Sequence, residues 1–250
     1  MQELIKDLNK LKDPVRAKHS QRFFKTGKGE YGEGDVFLGL KMPQLRVLSK
    51  KYQDLELKEL EQLLCSGIHE YRMIALLIAV LQYKKTKSSV QSVNKSACPE
   101  LNYEINCSSR VHLYQFFIKN SKKINNWDLV DVNVPHVVGD YLLNKDRSVL
   151  YTFAKSKNLW QRRIAVLACF AFIREKDYED AIKIAKLLLK DEHDLIHKAV
   201  GWMLRETGKR DENVLVKFLD KYCLQMPRTM LRYSIERLEE GRRLSYLRKK

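Results

Sequence analysis

Trp127, Asp128 and Asp131 stand together in INNWDLVDVNVP, within a chain whose formal net charge is +16. On a helix, Trp127 and Asp131 are four residues apart and lie over one another on one face. An indole face attracts positive charge through its quadrupole, and a carboxylate attracts it directly or orients a water, so such a pair could stabilise a cation developing beside it. Asp128 points about 100° away and suits the first helical turn, where negative charge is favoured. The same spacing also fits a core tryptophan beside a solvated or salt-bridged aspartate, and spacing alone does not separate the two readings.

Two other patterns promise less. Gly27, Gly29 and Gly32 satisfy GxGxxG, yet the preceding VRAKHSQRFF reads as amphipathic helix rather than strand, and Glu30, Glu33 and Asp35 would repel a pyrophosphate. A flexible loop is expected there. His193 and His197 in HDLIH would share a helix face, one methylene short of the HExxH zinc motif, but zinc needs a third protein ligand and Asp194 suits a helix cap. No metal and no cofactor is expected.

Lys and Arg number 47 against 31 Asp and Glu, which makes a polyanion the default partner, nucleic acid first among them. Anionic membrane surfaces, acidic proteins or a solvated surface without a specific partner are the alternatives, and the basic end, Arg242, Arg243, Arg248, Lys249 and Lys250, could equally be a frayed tail. The five cysteines, Cys65, Cys98, Cys107, Cys169 and Cys223, form no CxxC pair, which suits reduced thiols in the cytoplasm, or the nucleus of a eukaryote. MQELIKDLNKLKD has no apolar core of a secretory signal, and the longest apolar run, Ile164 to Ile173, is far below the roughly 20 residues that span a bilayer. A soluble protein is expected, and a monomer.

Apolar positions recur at helical spacing nearly everywhere. Helices are predicted near 2–13, 14–24, 43–53, 56–66, 69–84, 109–120, 126–133, 135–144, 147–156, 158–175, 177–190, 193–208, 211–223 and 227–240, with no convincing strand. Pro14, Pro43, Pro135 and Pro227 suit first turns, and Asp177, Asp194 and Asp211 suit N-caps. No linker divides the 250 residues, so a single domain over 1–250 is expected. Ser88 to Ser109 is a polar connection of no predicted structure.

WQRRIAVL, LIHKAVGWML and TMLRYSIERL each set a base on the first turns of an apolar helix, which puts Arg163, Lys198 and Arg232 at intervals of 35 and 34 residues. Two helices per such period is the signature of HEAT-like solenoids, although helical proteins also give chance self-matches. If the period is real, the three bases line one side of a basic groove.

INNWDLVDVNVPHVVGDYL, NLWQRRIAVL, HDLIHKAVGWMLRETGKR, MPRTMLRYSIERL and the early GDVFLGLKMPQLR together resemble the DNA alkylation repair family of AlkD-like glycosylases. The resemblance runs in order over most of the chain, and Ser88 to Ser109 departs from it. It implies an all-α superhelical solenoid of HEAT-like repeats with a concave basic groove for duplex DNA, and release of purines alkylated at N3 or N7. Carried over by motif, the catalytic acid falls on Asp131, its aromatic partner on Trp127, the phosphate-gripping arginine on Arg163 and the second lesion-facing tryptophan on Trp202. The repeat spacing sets Lys198 and Arg232 beside Arg163 as DNA-binding bases, and Lys41 is expected to be another. The competing reading is a non-catalytic HEAT-like module that binds nucleic acid or an acidic protein.

Overall fold

In the computed structural model, residues 1–93 and 99–249 are described, with side chains outside 87–108. Cys98, Cys107 and most of the polar connection expected at Ser88 to Ser109 fall outside the described side chains, but the backbone on both sides of 94–98 is helical. The described residues are all α: their one strand-like feature is a single parallel bridge between Val36 and Ile68. The chain resolves into two compact units, Met1–Leu129 and Val130–Lys250.

The first unit contains α1 (Gln2–Lys10), α2 (Pro14–Phe23), α3 (Met42–Lys51), α4 (Leu57–Leu64), α5 (His69–Val93), α6 (Pro99–Lys119) and the start of α7 (Trp127–Val134). Its centre is α5, which packs on α3, α4 and α6. Met73 to Val80 are buried around the whole circumference of α5, as a helix without a polar stripe requires. Asp13 caps α2 by accepting the Arg16 N–H at 2.9 Å, with Pro14 in the first turn, where its missing N–H costs nothing.

The second unit holds the rest of α7, α8 (Ser148–Ala154), α9 (Leu159–Arg174), α10 (Glu179–Leu187), α11 (Asp194–Gly208), α12 (Glu212–Tyr222), α13 (Arg228–Ser234) and α14 (Glu240–Arg248). Here α9 packs on α8, α10 and α11, and α11 packs on α12 and α13. In this unit α9, α11 and α13 therefore lie side by side.

Three local expectations change. Pro135 does not open a new helix: the backbone runs on through a π-helical turn, Pro135–Gly139, because proline has no N–H for the carbonyl four residues back and the helix widens instead of breaking. The N-caps of α10 and α11 are Tyr178 and His193 rather than Asp177 and Asp194. Arg242, Arg243 and Arg248 of the basic end are not in a frayed tail, since they belong to α14, capped by the Glu239 carboxylate on the Gly241 and Arg242 N–H groups, and Lys250 lies outside the described residues.

Candidate functional site

Asp131 projects from the turn just before Pro135, four residues ahead of it, at the point where the helix widens. Across from it, α9 delivers Arg163 from beneath the Asn158 cap, whose carboxamide accepts the Trp160 and Gln161 N–H groups. The Arg163 Nε and Nη2 donate to Asp131 Oδ1 and Oδ2 at 2.8 and 2.7 Å. Its Nη1 donates to the Leu195 carbonyl in the first turn of α11. The Arg163 side chain is 5% exposed and that of Asp131 14%, so the guanidinium lies inside and the carboxylate reaches the surface. A planar fork facing a carboxylate in this way fixes the orientation of the acid as well as its place. Gly139 permits this approach: a Cβ there would lie 2.4 Å from the Ala168 carbonyl and 2.8 Å from the Ala171 Cβ of α9.

Trp127 opens α7, its N–H accepted by the carboxamide oxygen of the fully buried Asn126. In the first unit its ring stacks on Phe24, with centroids 5.3 Å apart, and meets Phe23 edge-on at 5.8 Å. Phe24 in turn stacks on buried Phe37, and Phe37 on the His69 imidazole at 4.5 Å. The tryptophan is therefore held by a ladder of rings rather than packed anonymously.

The ladder ends on a buried charge network. His69 Nε2 lies 2.8 Å from Asp128 Oδ2, and Nδ1 lies 3.6 Å from Asp35, which Arg72 also approaches at 2.7 Å. Burial by itself would lower the His69 pKa, but the Asp128 and Asp35 carboxylates outweigh it and raise it to about 9. Burial likewise pushes the Asp35 carboxyl up, and His69 and Arg72 more than reverse this, holding it below its usual range. Asp128 thus does more than serve its helical turn: it ties the start of α7 to α5.

Beside His69, buried Glu70 accepts the N–H groups of Leu38, Gly39 and Leu40 at 2.9, 2.8 and 3.2 Å. That carboxylate clamps the segment leading into α3, whose N-cap is Lys41. Lys41 is exposed, and its own N–H is taken by Gln44 Oε1 at 2.7 Å. Lys198, partly exposed, pairs with Asp194 at 2.7 Å, and Arg232 is exposed on α13. Trp202, half-buried on α11, lies beside Phe170 of α9 at 5.8 Å. Phe170 is seven residues beyond Arg163, about 10 Å farther along the helix. Of the residues singled out from the sequence, Asp131 and Arg163 meet directly, while Lys41, Lys198 and Arg232 present charge at the surface.

The weaker motifs are explained by their hydrogen bonds. Glu30 and Glu33 accept the Gly27 and Gly29 N–H groups at 2.8 and 2.9 Å, so the glycine loop is closed by its own carboxylates. In HDLIH, His193 Nδ1 accepts the Leu195 N–H at 3.1 Å and His197 Nε2 meets the Asp191 carbonyl. Among the described residues no group of three metal-ligating side chains occurs, and no helix is long and apolar enough to cross a membrane.

Residues 4–238 match the family described as DNA alkylation repair enzyme. The chain belongs to that family. A role in the repair of alkylated DNA follows from membership. The fold is also similar to a solved structure described as a predicted DNA alkylation repair enzyme from Enterococcus faecalis, at 17% identity and a TM-score of 0.58, covering 92% of this chain and 97% of that one. Comparison with curated protein sequences returns no match.

In this DNA alkylation repair protein the sequence reading missed Phe24, Phe37, His69, Glu70 and Arg72. A signal was present in IHEYRMIALLI, where charged residues abut an apolar run so closely that they cannot all reach solvent. All of His69 to Arg72 are buried.

Proposed function

We propose that this family member is a DNA glycosylase that releases N3- and N7-alkylated purines from duplex DNA by hydrolysing the N-glycosidic bond. The observation that supports it most is the Asp131 carboxylate, held through both oxygens by a buried guanidinium and still reaching the surface. An alkylated purine already carries positive charge, so the electron pair of the glycosidic bond neutralises the ring as it leaves, and no general acid is required. The charge that needs stabilising is on the sugar, which becomes oxocarbenium-like. Asp131 faces that cation and directs a water to C1′, taking up its proton as the C–O bond forms. Trp127, four residues earlier on the same helix, adds the attraction of its ring face, and Trp202, farther along, is read as the second aromatic side chain facing the damaged nucleotide.

Arg163 takes a different part from the one its motif suggested. With its guanidinium engaged by Asp131 and the Leu195 carbonyl, it acts as the positioning residue for the acid, and the phosphates fall to exposed bases such as Lys41, Lys198 and Arg232. The pairs α8/α9, α10/α11 and α12/α13 are read as HEAT-like repeats. The partner is duplex DNA with alkylated bases, and the protein acts as a monomer without metal or cofactor. The test is incubation with duplex DNA methylated at N7 of guanine, with free base measured by chromatography. Release by the wild type and its loss in Asp131→Asn, with binding kept, is expected. Binding without any release would leave a non-catalytic DNA-binding member of the family.

A further inference from the structure

The family match ends at residue 238, and α14 (Glu240–Arg248) lies beyond it. It is built into the second unit all the same. Tyr246 is 4% exposed and its hydroxyl donates to Asp220 Oδ1 on α12 at 2.7 Å. Arg242 pairs with Glu212 at the other end of α12, and Arg228, at the start of α13, donates to the Leu247 carbonyl at 3.0 Å. The helix is therefore pinned at both ends and at its middle, although most of it is exposed.

What it presents is positive charge. Residues 228–249 carry seven bases, Arg228, Arg232, Arg237, Arg242, Arg243, Arg248 and Lys249, against three acids. One of the acids, Glu239, is turned onto the α14 N-terminus, where it offsets the helix dipole rather than the bases. The Arg228 hydrogen bond brings the C-terminal end of α14, with Arg248 and Lys249, against the first turn of α13, and Arg232 follows one turn later. Arg228, Arg232 and Arg248 are all exposed, while the partly exposed Lys249 and Arg243 lie 3.6 Å from Asp220 and 3.8 Å from Glu240, in loose pairs that a phosphate could displace. A merely solvated tail would not need a buried tyrosine, an N-cap and three polar ties to α12.

We propose that α14 is an accessory DNA-binding element, which extends the surface of α13 and grips the phosphate backbone of the duplex outside the reacting nucleotide. The inference rests on the reading of duplex DNA as the partner, and it assigns α14 no part in the chemistry. Arginine and lysine side chains on one anchored helix suit a row of phosphates, and binding to phosphates positions the duplex without reading its sequence. Each phosphate that a base neutralises releases counterions, so the number neutralised is visible in the salt dependence of binding.

The test compares wild type with Arg243→Gln/Arg248→Gln/Lys249→Gln, which leaves Tyr246 and its hydroxyl hydrogen bond in place. On an undamaged duplex of about three helical turns, the slope of log Kobs against log salt should become shallower by about 0.9 for each phosphate no longer neutralised. The matching Arg→Lys variant at 243 and 248 should keep the wild-type slope, because charge and not packing is at issue. Single-turnover base release at saturating protein should stay unchanged. Equal slopes and affinities for wild type and the Gln variant would overturn the role of α14 alone. A wild-type chain that binds no duplex would overturn the DNA reading together with it.

Discussion

Arg163 grips both oxygens of Asp131 from a position 32 residues later in the chain, and it does so from the interior, with 5% of its side chain exposed. An acid held in this way cannot swing freely, and its orientation depends on one guanidinium. The functional consequences of that pairing can be measured separately from DNA binding.

Asp131→Asn keeps the shape of the side chain and removes its charge. Release of 7-methylguanine in single turnover should fall by at least about a hundredfold, the scale of losing one preorganised electrostatic group. Affinity for undamaged duplex should hold within a few-fold. An unchanged excision rate would remove Asp131 from the chemistry.

Arg163→Ala leaves the Asp131 carboxylate without its guanidinium partner and opens a gap between α7, α9 and α11. A stability loss of about 3 kcal/mol is expected, the low end for breaking a largely buried ion pair, together with slower excision. With its guanidinium already engaged by Asp131 and the Leu195 carbonyl, Arg163 is expected to contribute no phosphate contact, so the salt slope of duplex binding should not change. A slope shallower by about 0.9 would return Arg163 to direct phosphate binding. Arg163→Lys, which cannot form the two-pronged pair, should recover part of the stability and less of the rate.

Gly139→Ala adds only a methyl group, but one placed 2.4 Å from the Ala168 carbonyl. The π-helical turn must then move off α9, which also shifts Asp131 relative to Arg163. Thermal unfolding should occur at lower temperature, and excision should drop more than binding does. Wild-type stability in this variant would mean that the two helices do not approach as closely as described.

His69 supplies a pH dependence. Its pKa is raised from an ordinary 6.5 to about 9, so the protonated imidazole between Asp128 and Asp35 contributes stability that is complete below pH 6.5. That contribution is lost as pH rises through about 9, and by linkage it is on the order of a few kcal/mol. Denaturant unfolding between pH 6.5 and 9.5 should show the decline, and His69→Gln should flatten it at a lower overall stability. A wild-type stability that is level across this interval would contradict the buried charge pairing.

Helical periodicity was legible along the chain because one-sided burial leaves a mark every three or four residues. Most predicted helices lie within a few residues of those formed, and Trp127, Asp131 and Arg163 could be picked out from local motifs. Legibility ended where the decisive interactions are distant. Nothing near residue 131 indicates that its partner is Arg163, and nothing near Trp127 indicates Phe24, 103 positions earlier. Pro135 marks an irregularity, but only packing, with Gly139 against α9, decided for a widened helix over a break.

The all-α class and the basic character were legible in the chain alone, since residue type and near-neighbour spacing carry both, whereas Asp131 became the candidate acid only through the resemblance of its motif to the DNA alkylation repair family. Tertiary structure decided which charges face water and which face one another. It turned Arg163 and His69 inward to carboxylates and ordered the basic C-terminal end as α14. The physical reason is that burying a charge is unfavourable until a partner arrives, and that partner is brought by folding from a remote part of the chain.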